Sequence, residues 1–415
     1  MILGCLALTA CQATEPSTEP SATASPTAAL SWSSVASLVS GDQAYLHVLA
    51  LAEDIGTRPV GSDAERQAAQ YLSQQFTTYG YQTKEQQFTV EYYVETAALE
   101  VLTPTPLSLN PLPLRLSGSG EVTAELVPAD LGRLQDFPPE GLKDRIALIE
   151  RGDLSFSDKV TNAAAAGAAA VVIYNNAEGP FRGDLREESP IPALSLSQAE
   201  GHQLQALLAE GPLTVRLSVQ STQETKPSQN VIARPSQNDC ELIVGAHYDS
   251  VAAAPGANDN ASGSAILLEI ARVLDLADQE EGVCFVAFGA EETTLSGSRH
   301  FVATLTSQAQ PSPQAMVNLD MVGVGTEWQL MGSPSLVEKI DQEATALGLD
   351  PVPTDPHLSG DHISFMDAGI PAIFIHRFED PHYHTELDRA EFVEPQLLKE
   401  AAKLTLLALA ALASP

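Results

Sequence analysis

The sequence predicts an α/β protein, with a mixed, mainly parallel central sheet flanked by helices and a smaller β-rich domain inserted into it. Four short apolar runs in the second half of the chain alternate with helical patterns, and such continuous runs are typical of strands buried on both faces of a parallel sheet. The composition also changes near residue 97, and the alternation of strands and helices resumes at Asn230. That return indicates one domain interrupted by another.

The composition indicates a globular protein with a strong negative charge. The 415 residues include 21 Lys and Arg against 54 Asp and Glu, a formal net charge of −33, and 44% of them are hydrophobic. At about 150 residues per domain, this length predicts two or three domains. The acidic excess argues against nucleic acid and anionic lipid as electrostatic partners, because both attract Lys and Arg.

The first 40 residues are expected to direct export and to tether the folded part. Residues 1–11 form an apolar run too short to span a bilayer, and Leu8-Thr9-Ala10-Cys11 resembles the lipobox of bacterial lipoproteins. This implies a lipid anchor at Cys11 as the one membrane contact, with an ordinary export signal as the alternative. No Lys or Arg precedes Arg58, so we expect a true start further upstream. Residues 12–40, rich in Ser, Thr, Pro and Ala, are the tether of an exported protein, at the membrane, cell surface or periplasm or otherwise secreted.

Residues 41–96 are the first part of the interrupted domain. Apolar positions at helical spacing run from 41 to 56. Ser62-Asp63-Ala64-Glu65 then predicts a capping box, in which Ser62 and Glu65 each satisfy a backbone N–H of the other. One apolar helical face follows and ends at Gly80, and residues 85–101 alternate as strands do.

Residues 97–225 are predicted to form the inserted domain, and residues 226–415 the second part of the interrupted one. Within the insertion, the pattern predicts a helix over 155–170, a buried strand over 171–175 and a helix over 197–210. The segments "IALIERGDLSFSDKVTNAAAAGAAAVVIYNN" and "IPALSLSQAEGHQL" resemble the protease-associated (PA) domain. That resemblance implies a non-catalytic insertion or lid, as in several peptidase families.

Each of the four apolar runs delivers acidic or imidazole side chains at its carboxyl end. Ligand sites of open α/β sheets lie beyond the carboxyl ends of the strands, so these side chains are expected to meet. A glycine-bearing loop over 256–263 would bring one more carboxylate to the same edge. The side chains so placed are His247 and Asp249, Asp259, Glu291 and Glu292, Asp320, and His384.

The residue types at this edge predict a metal site. Two imidazoles with several carboxylates suit zinc, which binds nitrogen and oxygen at about 2.0–2.2 Å. So many carboxylates would repel one another strongly unless cations neutralised them. Two Zn²⁺ ions bridged by one carboxylate would accommodate the set.

The motifs that carry these side chains follow the order found in a known family. They are "GAHYDS", "GANDNASG", "AFGAEE", "VNLDMVG", "SGDHISF", "AGIPA" and "YHTELD". Over roughly 41–96 and 226–412 the chain resembles the zinc aminopeptidases of the bacterial leucyl aminopeptidase and aminopeptidase Y type, metallopeptidase family 28. The resemblance implies a zinc-exopeptidase fold and two Zn²⁺ ions per chain. Its residue roles are His247 and Asp320 on one ion, Glu292 and His384 on the second, Asp259 on both, Glu291 as general base, and Asp249 orienting His247.

Two further residues are candidates for the substrate pocket, and one choice among histidines has to be made. His384 is chosen as the ligand because it alone opens His-Thr-x-x-Asp among the histidines that crowd 357–384. His362 is a pocket candidate, with an ordinary loop histidine as the alternative. Phe365 is another, with core packing as the alternative.

Cys240 and Cys284 each lie seven residues before a predicted site residue, His247 and Glu291. If their strands are neighbours in parallel register, the two sulfurs can meet, and an oxidising compartment would permit a disulfide. The disulfide is therefore a hypothesis that depends on both conditions.

The activity implied by the resemblance is hydrolysis of the N-terminal peptide bond of peptides with a free N-terminus. Metal-activated water attacks, and Glu291 takes its proton. Within the family, a carboxypeptidase, a dipeptidase or a glutaminyl cyclase is the alternative. From another class, the alternative is a catalytically inactive ectodomain that keeps the fold for binding, although such relatives tend to lose ligands or the base and none is lost here.

Overall fold

The computed structural model describes residues 1, 31–235, 240–280, 282–307, 312–352 and 359–413. The predicted signal segment with Cys11, and most of the predicted tether, lie outside these residues. None of the helices in the described ranges is long and apolar enough to cross a membrane.

The described residues form ten α-helices and thirteen β-strands. The helices are α1 (Trp32–Ser37), α2 (Gly41–Leu49), α3 (Asp63–Thr78), α4 (Phe156–Ala165), α5 (Gln198–Glu210), α6 (Gly263–Ala277), α7 (Ser296–Ser307), α8 (Pro334–Ala346), α9 (His362–Asp367) and α10 (Pro395–Ala413). The strands are β1 (Gln82–Thr103), β2 (Leu107–Leu109), β3 (Leu112–Pro113), β4 (Gly120–Pro128), β5 (Ile146–Glu150), β6 (Ala170–Tyr174), β7 (Ala193–Leu196), β8 (Leu213–Arg234), β9 (Leu242–His247), β10 (Val283–Phe288), β11 (Ala315–Asp320), β12 (Glu327–Gly332) and β13 (Ala372–Phe378). Two π-helical turns, Ala50–Ile55 and Ala257–Ser262, follow α2 and precede α6.

The four predicted apolar strands are β9, β10, β11 and β13, and each is parallel to its neighbours among them. Their order is β10-β9-β11-β13, with antiparallel β12 beyond β13 and antiparallel β8 beyond β10. Every residue of β9, β10 and β11 is buried. The prediction of a mixed, mainly parallel central sheet is confirmed.

Helices cover both faces of this sheet because its strands are apolar on both sides. Adjacent residues of a strand point to opposite faces. Val244 accordingly lies in a large core with residues of α2, α3, α6 and α10, and Ile243 lies in a smaller core with residues of α7 and α9. These helices do not cover the edge of the sheet where the parallel strands end. The predicted site residues lie at that edge.

Two 22-residue strands, β1 and β8, run through both parts of the molecule. They pair antiparallel from Gln82 opposite Arg234 to Thr103 opposite Thr214, and we call this pair the β1–β8 ribbon. Near one end β8 also pairs with β10, and near the other end it pairs with β4. The predicted boundaries at 96/97 and 225/226 therefore fall inside continuous strands and not in linkers.

The inserted domain is built on the far end of this ribbon. Strands β4, β5, β6 and β7 lie parallel in that order, and β3 is antiparallel to β7. Helix α4 packs on one face and α5 on the other. The smaller β-rich domain is thus present as predicted. Helix α4 ends at Ala165, earlier than the predicted 170, because Gly167 adopts a φ of +90° and turns the chain into β6.

The last residues of the predicted tether are folded. Helix α1 lies within them, and Val35 and Val39 are buried in the large core. The tether boundary at residue 40 is therefore too late. The apolar Trp32, Val35 and Val39 bury enough surface to order a segment whose composition is otherwise rich in serine.

Helix α3 begins at the predicted Ser62 cap, but only half of the capping box forms. The Ser62 hydroxyl accepts a hydrogen bond from the N–H of Glu65 at 3.0 Å. The Glu65 carboxylate instead accepts from the N–H of Gly61 and from the Ser228 hydroxyl, both at 2.6 Å. Burial raises the pKa of Glu65 to about 7. This buried side chain connects the start of α3 to β8, a contact that local sequence does not reveal.

Cys240 and Cys284 form a disulfide, with their Cα atoms 5.3 Å apart. The structural condition of the hypothesis is met, since β9 and β10 are parallel neighbours and Cys284 lies opposite Ile243. Cys240 lies two residues before β9 and reaches across to the second residue of β10.

Reduction of this disulfide is expected to lower the free energy of unfolding. It connects residues 44 apart, and a loop of that length corresponds to a stabilisation of about 2–4 kcal/mol. Urea unfolding with and without dithiothreitol measures the effect. A Cys240→Ser variant is the control, because it should match the reduced protein and ignore the reductant. Equal midpoints for the oxidised and reduced protein would contradict the prediction.

Candidate metal centre and active site

The four central strands end at one edge and place the predicted residues there. His247 and Asp320 are the last residues of β9 and β11. Glu291 and Glu292 follow β10 after two residues, and His384 follows β13 in the next loop. Parallel strands in register bring their carboxyl ends together, so residues far apart in sequence become neighbours.

The first group consists of His247, Glu291 and Asp320, whose ligand atoms all lie within 4.8 Å of one another. His247 Nε2 lies 3.3 Å from Asp320 Oδ1 and 3.9 Å from Glu291 Oε2. The His247 side chain is buried, and the side chains of Asp320 and Glu291 are 11% and 14% exposed. Glu291 differs from Asp320 in its greater distance from the imidazole.

The second group consists of Asp259, Glu292 and His384, also within 4.8 Å. His384 Nε2 lies 3.1 Å from Asp259 Oδ2 and 3.2 Å from Glu292 Oε2. The other oxygen of Asp259, Oδ1, lies 3.2 Å from His247 Nε2. Asp259 therefore directs one carboxylate oxygen to each group.

These side chains fit Zn²⁺ by donor type and by spacing. Atoms that share one tetrahedral shell with bonds of about 2.0–2.1 Å lie about 3.3 Å apart, close to the separations found here. Three donor atoms (Glu292 Oε1, Asp320 Oδ1 and His384 Nε2) are buried with no hydrogen-bond partner among the described residues. Buried polar atoms normally have partners, so these atoms point to a ligand that the protein itself does not supply.

Crowded carboxylates also dominate the electrostatics of the two imidazoles. Burial by itself lowers the pKa of His247, but Asp320, Glu291, Asp249 and Asp259 outweigh it and raise the pKa well above its ordinary value. The pKa of His384 is raised to about 10 against the effect of burial, chiefly by the adjacent carboxylates of Asp259 and Glu292. The site thus attracts positive charge strongly, whether as protons or as metal ions.

Asp249 contacts both the first imidazole and the segment that carries the two glutamates. Its Oδ1 lies 3.5 Å from His247 Nδ1. The same carboxylate accepts the N–H of Glu291 at 3.0 Å and the N–H of Glu292 at 3.3 Å. The sequence analysis assigned Asp249 only the role of orienting His247. The structure adds that one buried carboxylate fixes the backbone of both glutamates.

Asp388 is a positioning residue that the sequence analysis did not assign. Its carboxylate accepts the N–H of Asn258 at 2.7 Å and the N–H of Asp259 at 3.1 Å. Asn258 in turn donates to Asp380 and accepts the N–H of Gly323. The conformation of the loop that presents Asp259 depends on these contacts. The signal was available, because Asp388 closes the His-Thr-x-x-Asp motif that His384 opens.

Arg58 is a second residue that the sequence analysis missed. Its guanidinium is fully buried and donates to five backbone carbonyls, those of Leu51, Gly56, Tyr248, Pro255 and Gly256. The chain after β9 is thereby fastened to the end of the π-helical turn that follows α2. Gly256 has a φ of +68°, and a Cβ there would lie 2.5 Å from Asp259 O, so the loop tolerates only glycine at this turn.

The two predicted pocket residues do not lie where the site opens. Phe365 is fully buried and packs with its ring against Phe288 and Phe301, so core packing is its role. His362 is buried behind the site and stacks on Phe374 at 4.8 Å, and burial lowers its pKa to about 4. Its neighbour Asp361, which was not assigned, is buried beside the first group, and burial raises its pKa to about 7.

Two cavities meet at the metal-binding residues. The smaller, of about 250 Å³, is lined by Met321, Phe374 and Tyr383 together with Glu379 and Asp380. The larger is a cleft of about 860 Å³ that extends to the inserted domain. Glu291, Glu292 and Ser359 line both, so the candidate metal centre lies at their junction.

Comparison with known proteins agrees with this architecture. The model of peptidase family M28 matches residues 230–409, and the model of the PA domain matches residues 122–204. Aminopeptidase YwaD of Bacillus subtilis (strain 168) is 34% identical over 388 residues, which cover 87% of this chain and 82% of that protein. A probable leucine aminopeptidase 2 of Aspergillus fumigatus is 32% identical over 76% of this chain and 67% of its own length.

Solved structures give the same result. The aminopeptidase from Aneurinibacillus sp. strain AM-1 superposes with a TM-score of 0.74 at 32% identity, covering 91% of this chain and 95% of that one. BSAP, described as a zinc aminopeptidase from Bacillus subtilis, gives 0.75 at 31% identity, with 89% and 94% covered. A glutaminyl cyclase of Porphyromonas gingivalis, at 18% identity and a TM-score of 0.50, shares the fold alone.

The fold, the family match and the two clusters of candidate metal ligands are those of a metallopeptidase of the α/β class. The chain belongs to peptidase family M28 and carries an inserted PA domain.

Replacing Asp388 by Asn is expected to weaken metal binding about 10–100-fold while the fold is retained. The amide can accept only one of the two N–H groups of the Asp259 loop, and supporting partners of ligands typically contribute this much. Chelator competition measures the zinc affinity, and circular dichroism checks the fold. An Asp341→Asn variant, on the exposed surface of α8, is the control. Unchanged affinity in Asp388→Asn would show that the loop holds its shape without this carboxylate.

Proposed function

We propose that this protein is an exported, dizinc aminopeptidase that hydrolyses the N-terminal peptide bond of peptides. The observation that carries the proposal is the position of Asp259, whose two oxygens face one imidazole each, with a further carboxylate beside each imidazole. A carboxylate shared in this way suits two cations a few ångströms apart. The relatives named as aminopeptidases, including one named as a zinc enzyme, support the same assignment.

The donor atoms divide between the two Zn²⁺ ions by proximity. His247 and Asp320 would hold one ion, Glu292 and His384 the second, and Asp259 both. When bound, the ions lower the pKa of water and polarise the scissile carbonyl. This leaves Glu291 as the carboxylate of the first group that is free for proton transfer.

Glu291 is well placed for that role, since it lies at the junction of the two cavities. Burial raises its pKa well above the ordinary value, and Asp361, Asp320 and Glu292 add to the shift while His247 opposes it. A carboxylate that is readily protonated can accept a proton from the attacking water and return it to the departing amine. The Asp249 carboxylate holds the Glu291 backbone N–H, so the base is fixed relative to His247.

The unequal cavities favour cleavage at the N-terminus. A substrate whose scissile bond lies at the junction would place its first side chain in the smaller cavity beside Met321 and Phe374 and the rest of the peptide in the larger cleft. The free amine would then lie among the carboxylates of the site, which attract positive charge. A longer segment before the scissile bond has less room in the smaller cavity.

Export is supported by the disulfide as well as by the lipobox resemblance. Stable disulfides form in oxidising compartments, and Cys240 and Cys284 meet without displacement of their strands. A lipid anchor at Cys11 predicts that the protein sediments with membranes and incorporates labelled fatty acid, and that a Cys11→Ser variant does neither. Retention of both properties in the variant would rule out this anchor.

The activity is tested with aminoacyl-anilides of leucine, lysine, proline and glutamate, before and after metal removal. Chelation is expected to abolish hydrolysis and Zn²⁺ to restore it. Glu291→Gln is expected to lower kcat about 10²–10⁴-fold with metal content unchanged, the usual contribution of a general base. Glu338→Gln, on the exposed surface of α8, is the matched control. Equal rates in wild type and Glu291→Gln would favour the inactive-ectodomain alternative.

Assays on the same purified protein distinguish the aminopeptidase from the other activities found in the family. A glutaminyl cyclase would act on a peptide with N-terminal glutamine and release ammonia, and a carboxypeptidase or dipeptidase would require a free C-terminus near the scissile bond. An anilide has neither feature. Hydrolysis of the leucine anilide, with no cyclisation of the glutaminyl peptide, is the expected result.

A further inference from the structure

The large cleft is lined by both acidic and basic side chains. Next to the metal-binding residues it is lined by Glu291 and Glu292, whereas the inserted domain contributes Arg115 and Arg182. The protein has only 21 Lys and Arg among 415 residues. Two arginines lining one cleft are therefore a notable concentration of positive charge in an acidic molecule.

The two arginines differ in their partners. Arg115 is paired through Nη1 with Asp184 at 2.6 Å. Arg182 is exposed and forms no ion pair or side-chain hydrogen bond with any residue of the described ranges. Glu91 and Glu95 line the same wall, but the Glu95 carboxylate accepts the N–H of Leu116 at 3.1 Å, which holds it in place. Of the two arginines of this wall, Arg182 is therefore the one whose hydrogen-bonding capacity the described residues leave unused.

We propose that Arg182, with Arg115 beside it, binds the C-terminal carboxylate of short peptide substrates. This inference rests on the proposed aminopeptidase function and adds a substrate class to it. A guanidinium presents a planar fork of N–H groups that matches a carboxylate. A short peptide is a zwitterion, so its ammonium is attracted to the acidic centre and its carboxylate to the arginine wall. Both ends then favour the same orientation.

The size of the cleft agrees with this class of ligand. Its volume of about 860 Å³ lies in the upper part of the range for sites that enclose small molecules. A cleft of this volume can hold a peptide of a few residues. The inserted domain would thereby select substrates by length, because only certain lengths connect the metal-binding residues to Arg182.

The test compares peptides of the form Leu-(Gly)n as free acids and as C-terminal amides, beside leucine anilide. In the wild type, kcat/KM is expected to be about tenfold higher for the acid than for the amide at the best length, the effect of one charge-assisted hydrogen bond. Arg182→Gln should remove this preference, and Arg115→Gln should reduce it. Neither variant should change the rate on leucine anilide, which does not reach the inserted domain.

Arg133→Gln is the matched control, since Arg133 is a half-buried, ion-paired arginine of the inserted domain that does not line the cleft. It should retain the preference for acids. Loss of the preference in this variant as well would indicate a general charge effect and overturn the proposal, as would an unchanged preference in Arg182→Gln. Failure of the wild type on leucine anilide would instead refute the proposed function, so the two failures are distinguishable.

Discussion

Repulsion among five carboxylates gathered around two imidazoles is the constraint on which the rest of this structure depends. Each of these carboxylates lies beside His247 or His384 at the edge of the sheet and is largely shielded from water. They belong to Asp249, Asp259, Glu291, Glu292 and Asp320. Such a cluster persists only if cations or protons compensate it and if the backbone holds it rigidly. The fold supplies the rigidity through strands that are apolar on both faces and buried completely.

The strands alone do not hold the loops that follow them. Asp259 lies on a loop, and this loop is fixed by the backbone N–H groups that Asp388 accepts and by the carbonyls that Arg58 binds. A buried arginine that binds only carbonyls is well satisfied, although burial lowers its pKa to about 10. Asp249 does the same for the Glu291–Glu292 segment. Arg58, Asp249 and Asp388 thus hold the candidate metal ligands in place through main-chain contacts.

The extent to which the sequence predicted this site follows from the kind of contact involved. The positions of His247, Glu292 and Asp320 could be predicted. The apolar runs identify buried strands, and these residues lie at or just after the carboxyl ends of those strands. Arg58 could not be predicted, because its partners are backbone groups whose positions depend on loop conformation. Asp388 was indicated by its place in the His-Thr-x-x-Asp motif, but its contacts with the Asp259 loop were not. Glu65 shows the same limit: its spacing from Ser62 predicted a local cap, whereas burial against β8 gave it a distant partner. Phe365 packs in the hydrophobic core, the alternative that its apolar character already offered.

Under the role proposed for Arg182, the length of the β1–β8 ribbon would set the length of peptide that fits. The ladder keeps one register from Gln82 to Val101, so a lengthening of one residue per strand within it would reverse which face each side chain presents. Changes are therefore tolerated in steps of two residues, and each step would carry the arginine-bearing wall about 7 Å away from the sheet edge. That distance is roughly two residues of extended peptide. The number of residues in the ribbon would therefore determine, in steps of two, which peptide length reaches the arginines. Relatives with longer or shorter ribbons would favour different peptide lengths while the reacting groups stay unchanged.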